Sequence, residues 1–238
     1  MILALLALLH LVPAASAQIE SQDLVRPFLH MPGDLRREAD MEGLLTLSVS
    51  GAATLVARPD DNHVHDAVLS SRPLGADGST LASWAGDGLV QAPGLALFYL
   101  GGLYCESPRA KRFGEMGLEA LAVSALETEA LKLAVRRERP DGSDHYSFPS
   151  GHVTTSFAVA AVAADEWGWA GGVTGYLAAG VIALSRLEKN KHYLSDLVFG
   201  AGLGIASGRA VARAHKPKER VSARLVPLPG GVAMVLRF

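Results

Sequence analysis

Phe148-Pro149-Ser150-Gly151-His152-Val153-Thr154-Thr155-Ser156-Phe157 reads as a turn running straight into a helix, and the run to Glu166 that follows is mostly Ala and Val. Ser150 stands at the natural N-cap position. The free amides of the first turn, including those of Gly151 and His152, point outward with the positive end of the helix dipole behind them, so this start suits an anion. Gly151 lets the backbone approach closely, and His152 stands at the mouth with a side chain able to pass a proton. Pro-Ser-Gly alone is ordinary turn-then-cap chemistry, so the reading depends on what lies on either side.

Outward from this start the pattern stays helical. Trp167 to Leu187 and Lys191 to Ala214 follow it, and Arg109 to Arg137, Ala92 to Cys105, a short helix from Ser79, Asn62 to Ser71 and Gly43 to Ala57 precede it. None shows strand alternation. The expected fold is all-α, a helical bundle over 41–214. A basic turn and a short β-hairpin follow over 215–238, where Pro229-Gly230-Gly231 separates two apolar runs. Residues 18–40, with Pro27 and Pro32, read as an irregular leader. Residues 1–17 carry an apolar run from Ile2 to Leu9 and end on Ala15-Ser16-Ala17, the small-x-small pattern of an export signal, although no Lys or Arg precedes the run. The expected location is therefore exported, periplasmic. The alternative is an inner-membrane protein whose site faces the periplasm.

Composition narrows the function classes. Of 238 residues 49% are hydrophobic and 19% charged, enough apolar material for a full core. A net charge of −2, with a pI near 6.4, argues against nucleic acid as a partner, so anion recognition must be local. The single cysteine, Cys105, excludes an internal disulfide and supplies no zinc-type cluster. Mean hydropathy is only +0.22. Leu89 to Cys105 and Trp167 to Leu184 are uncharged enough to enter a bilayer, but Glu119, Glu127, Glu129 and Lys132 interrupt Met116 to Val135, which favours a solvated bundle. The basic residues Arg209, Arg213, Lys216, Lys218, Arg220 and Arg224 read as a solvated helix end, with contact to an anionic membrane surface as the alternative.

Two further blocks flank the Ser150 start. Lys132 and Arg139 lie seven residues apart, two turns along one face and about 10 Å in rise, so both can converge on one anion. Arg supplies a planar fork for phosphate oxygens and Lys a point charge. Pro140 is expected to stop that helix and press Arg139 toward an extended backbone. Downstream, Ser185-Arg186 precedes a turn, and His192 and Asp196 are four apart, expected on one helical face where Asp196 would bond one ring nitrogen and fix the tautomer. The Asp60-Asp61-Asn62-His63-Val64-His65-Asp66 cluster looks metal-like by composition, but His63 and His65 would not share a helical face, and no metal is assigned there.

Taken in order, Lys132, Arg139, Pro140, Pro149, Ser150, Gly151, His152, Ser185, Arg186, His192 and Asp196 resemble the signature of the type 2 phosphatidate phosphatase family, which shares its fold with bacterial acid phosphatases and vanadium-dependent haloperoxidases. The motifs span 132–196. The resemblance implies a phosphoric monoester hydrolase in which Lys132, Arg139 and Arg186 hold the phosphoryl oxygens and Ser150 with Gly151 completes the cradle. It also implies that His192 is the nucleophile, His152 the general acid and base, and Asp196 the group that orients His192. No cofactor is implied, since three cations and helix-start amides take the part metals play in other phosphatases. Substrate classes that fit are phosphorylated lipids (phosphatidate, isoprenoid diphosphates, lipid A phosphates) and small phosphomonoesters, with possible contact to a membrane surface. The alternatives are a haloperoxidase holding vanadate through His192 and a non-catalytic phosphate- or headgroup-binding module. The 141–148 loop is shorter than in many relatives, which leaves substrate identity open; Asp144 and His145 within it read as loop polarity.

Overall fold

The computed structural model describes residues 33, 38–216, 222–228 and 231–237, the last two segments by backbone alone. The 1–17 signal, most of the 18–40 leader and residues 217–221 of the basic turn lie outside the described residues. Seven helices and one hairpin follow in order: α1 Met41–Ala57, a 3-10 turn Arg58–Asp60, α2 Asp61–Ser71, α3 Gly75–Ala85, α4 Gly88–Tyr104, α5 Pro108–Val135, α6 Gly151–Glu188, α7 Leu194–Ala214, β1 Ser222–Leu228 and β2 Gly231–Arg237. The strands pair antiparallel from Ser222↔Arg237 to Leu228↔Gly231.

Capping chemistry places several ends differently from the periodicity alone. Helix α3 begins at Gly75 rather than Ser79, because Arg72 (φ 40°) and Gly75 (φ 68°) complete the reversal within four residues. Helix α4 begins at Gly88 rather than Ala92: Asp87 caps it by accepting the Leu89 N–H at 2.8 Å, and Pro93 is tolerated inside. Helix α5 ends at Val135, short of Arg137. It is closed by Arg136 in the left-handed region (φ 49°), whose N–H reaches the Lys132 carbonyl, so a left-handed cap and not Pro140 stops the helix.

The long helix α6 is two arms. Gly168 adopts φ 63° and ψ −144°, a conformation open almost only to glycine, and the chain reverses there. Residues 169–188 then run back along 151–167. Gly175 lies against Ala160, Gly171 against Ala163 and Tyr176 against Phe157, so the paired positions run in opposite directions. This matches the two helices expected from sequence, 150–166 and 167–187, and it returns Arg186 to the end where α6 began.

Helix α7 runs parallel to the first arm of α6. Gly200, Gly204 and Gly208 face Ser150, Thr154 and Ala158, both sets advancing by four residues. A Cβ on Gly204 would lie 2.1 Å from the Thr154 carbonyl oxygen, so the two backbones touch with no room for a side chain. Helix α5 runs opposite to both, with Arg112 paired to Glu166, Glu127 bonded to Ser207 and Lys132 beside Gly151. The core between them holds Leu95, Phe113, Met116, Val123, Val162 and Val211. On the outer surfaces Leu44, Leu45, Val49, Leu55 and Val56 of α1, Leu89, Leu97 and Phe98 of α4, and Trp169, Val173, Leu177 and Val181 of the returning arm are exposed. Exposed apolar side chains grouped in this way mark candidate interaction surfaces. Among the described residues α6 is the one helix long and apolar enough to cross a membrane, and Gly168 divides it.

Candidate active site

Topology puts the three sequence blocks at one end of the bundle. The N-termini of the parallel helices α6 and α7 both start there, so two helix dipoles present their positive ends to the same region. The C-terminal end of α5 brings Lys132, and the returning arm of α6 brings Arg186.

Lys132 Nζ donates to Glu129 Oε1 at 2.6 Å and lies 3.5 Å from where a Gly151 Cβ would sit. Gly151 therefore leaves a gap between the cation and the first-turn amides. Arg186 is buried; its Nη1 donates to Ser83 Oγ at 2.5 Å, and its Nε has no acceptor among the described residues. Burial, the neighbouring Arg139 charge and partial compensation by Asp87 bring its pKa down to about 10, so it remains a cation. Arg139 is held by Asp144, which accepts its Nε–H at 2.7 Å, and its Nη1 reaches the Lys191 carbonyl at 3.1 Å and His192 Nε2 at 3.2 Å. Asp144 thus has a positioning contact beyond loop polarity. Desolvation works against its charge, but the Arg139 bond and the Tyr146 amide hold its carboxyl below the ordinary value.

Ser150 occupies the N-cap position with extended backbone, yet its side chain makes no cap hydrogen bond: Oγ is buried without a partner among the described residues, so the expected N-cap bond is absent. Ser150 instead donates its backbone N–H to the Asp196 carbonyl at 3.3 Å. A buried hydroxyl and a buried guanidinium N–H, both unmatched, remain for an anion to satisfy.

The expected His192–Asp196 pair needs correction. His192 lies before α7, with Tyr193 as N-cap, so the two residues do not share a helical face. His192 Nδ1 instead donates to the Ser147 carbonyl at 2.7 Å, while Asp196 Oδ2 stands 3.7 Å away. With the Nδ1 proton on that carbonyl, Nε2 carries the lone pair and faces Arg139. Burial lowers the His192 pKa against the pull of Asp196, and Arg186 and Arg139 lower it further, so the ring is neutral. His152 is likewise pushed down, to about 4, by burial and the Arg186 charge. Its ring borders Gly86 at the α3–α4 turn. Sequence reasoning missed Ser83, Asp87 and Ser147 as site neighbours, because no spacing rule links them to the three blocks. The metal-like 60–66 cluster is dispersed: Asp61 turns inward to Ser195, and His65 bonds Asn190.

Residues 117–220 match the family model described as the PAP2 superfamily, a span that contains Lys132, Arg139, Ser150, Gly151, His152, Arg186, His192 and Asp196. Over this segment the chain is similar to the PAP2 superfamily. Among curated proteins, this chain is 37% identical over 107 residues to the lipid A 1-phosphatase of Porphyromonas gingivalis, covering 42% of this chain. It spans 24% of that relative's length. Two solved structures share the fold. The transmembrane PAP2-type phosphatidylglycerolphosphate phosphatase of Bacillus subtilis superposes with a TM-score of 0.52 at 19% identity, over 84% of this chain and 98% of that one. LpxE of Aquifex aeolicus gives 0.51 at 20%, over 64% and 94%.

Proposed function

We propose that this chain hydrolyses a phosphate monoester carried on a lipid, through a phosphohistidine at His192. The observation that carries the reading is the His192 ring itself: Nδ1 is tied to a carbonyl, and the Nε2 lone pair faces Arg139 at 3.2 Å, among groups suited to phosphoryl oxygens. Arg139, Arg186, Lys132, Ser150 Oγ and the Gly151 amide hold those oxygens. His192 Nε2 attacks phosphorus, the N–P bond forms as the P–O ester bond breaks, and His152 gives its proton to the departing alkoxide. Water then loses a proton to His152 and attacks phosphorus; the P–N bond breaks, releasing phosphate and restoring the Nε2 lone pair. Three cations and two helix starts neutralise the transferring group, so the proposed reaction uses no metal or other cofactor.

A lipid substrate is supported by the exposed apolar faces of α1, α4 and the returning arm, and by the lipid phosphatases among the relatives. Association with a membrane surface and export to the periplasm, by way of the apolar 1–17 segment, belong to the same proposal.

The test is phosphate release from an aryl phosphate by the full chain in detergent with a strong chelator present. His192→Ala is expected to lose at least about a thousandfold in kcat, and His152→Ala about 10²–10⁴. Quenching wild type in alkali during turnover should trap a phosphoenzyme with the base stability and acid lability of phosphohistidine. Turnover retained by His192→Ala would sink the reading.

A further inference from the structure

The loop that presents His192 is held by residues outside the three blocks. Ser147 is fully buried and fixed at three atoms. Its N–H donates to the Arg137 carbonyl at 2.9 Å, its Oγ donates to Asp196 Oδ2 at 2.5 Å, and its carbonyl accepts from His192 Nδ1 at 2.7 Å. Asp196 is gripped in turn: the Tyr193 N–H reaches Oδ2 at 2.9 Å and Arg137 Nη1 reaches Oδ1 at 2.6 Å. The other arm of Arg137, Nη2, donates to Asp61 Oδ2 at 2.7 Å, and Asp61 also accepts the Ser195 N–H and Oγ–H at 2.8 and 2.7 Å. The guanidinium lies 4.2 Å over the Tyr193 ring.

We infer that Arg137 and Asp61 are positioning residues for His192: they clamp Asp196, Asp196 holds Ser147 Oγ, and the Ser147 carbonyl, not the Asp196 carboxylate, selects the Nδ1–H tautomer. The inference rests on the reading of His192 as nucleophile only for its kinetic consequence. Chemistry explains the choice of residue. Two buried carboxylates from distant parts of the chain, Asp61 on α2 and Asp196 on α7, face one another, and a planar guanidinium can bridge both with separate N–H groups while the ring of Tyr193 packs on its face. A lysine carries the charge without the fork, so it cannot hold both carboxylates in this geometry. Asp61→Asn keeps the shape but turns an acceptor into a donor facing Arg137.

The experiment reads the His192 ring nitrogens by long-range ¹H–¹⁵N correlation in the full chain, beside kcat and KM. Wild type is expected to show a protonated Nδ1 and an unprotonated Nε2. Arg137→Lys and Asp61→Asn should shift His192 toward a mixture of tautomers and lower kcat at least about tenfold, with KM changed less than about threefold. Ser147→Ala removes the link between Asp196 and the carbonyl without altering any charge, so it keeps the test open where a charge variant fails to fold, and it should move the tautomer the same way. A wild-type ring protonated at Nε2 overturns the inference, as does an unchanged tautomer in the variants that fold, with or without loss of kcat. The tautomer is read in the resting protein. It therefore decides the clamp even where wild type hydrolyses no ester, an outcome that would sink the functional reading alone.

Discussion

At the scale of single residues, the two imidazoles of the site are held neutral by burial, and this sets the pH behaviour. His152, with its pKa brought down to about 4, carries no proton in the resting site at neutral pH. The proton needed at the leaving oxygen must then arrive with the substrate, as the phosphate monoanion, whose second ionisation lies near about 6. At low pH a proton taken up by the His192 ring removes the proposed nucleophile; above about pH 6 the substrate loses the proton it brings. The expected kcat/KM profile is a bell whose alkaline limb falls through about pH 6. A plateau extending through neutral pH would show that His152 is protonated by the free enzyme and not by the encounter. The unmatched Arg186 Nε and Ser150 Oγ belong to the same argument, since a bound phosphoryl group supplies the acceptor one lacks and the partner the other lacks.

At the scale of elements, glycine does two separate jobs. Gly168 reverses α6, and the row Gly200, Gly204, Gly208 lets α7 lie flush and parallel on its first arm, which aligns the two helix starts at the site. Gly204→Ala must push the helices apart, because its Cβ would meet the Thr154 carbonyl at 2.1 Å and the Ala158 nitrogen at 2.9 Å. We expect a loss of about 1–3 kcal/mol and a drop in thermal midpoint of about 2–4 °C per kcal/mol. Gly51, on α1, has nothing within 4 Å of its would-be Cβ. Gly51→Ala should therefore stabilise by about 0.5–1 kcal/mol, since alanine loses less backbone entropy in a helix. Paired thermal unfolding of the two variants checks the sign of each. The charged helix ends follow ordinary pairing instead: Arg209 and Arg213 meet Glu42, and Lys216 meets Asp165, which uses up cations that sequence alone left available to a membrane.

For the whole molecule, the proposed lipid contact would be made by the exposed apolar side chains of α1, α4 and the returning arm, and so be driven by burial of apolar area and not by charge. The chain is expected to float with phosphatidylglycerol vesicles and to stay with them in about 1 M salt, where the Debye length is about 3 Å. Release by salt would assign the contact to the basic residues instead. Because the site lies where the two arms of α6, α5 and α7 all have their ends, a lipid held by its apolar chains against the bundle's flank would bring its headgroup to that end.

What sequence determined by itself was the helical class, the break between 166 and 167 and the identity of the three chemical blocks, because periodicity, glycine punctuation and residue spacing are local properties of the chain. Lys132, Arg139, Ser150, Gly151, His152, Arg186 and His192 were all legible in that way. The tertiary structure alone decided how they meet. That α7 runs parallel to α6, that Arg137 joins Asp61 to Asp196, and that His192 bonds the Ser147 carbonyl are contacts between residues 45 to 76 positions apart. No spacing rule reaches them, because hydrogen bonds at such separations are chosen by packing, here by the close approach of glycine-lined helices, and not by the chain's local preferences.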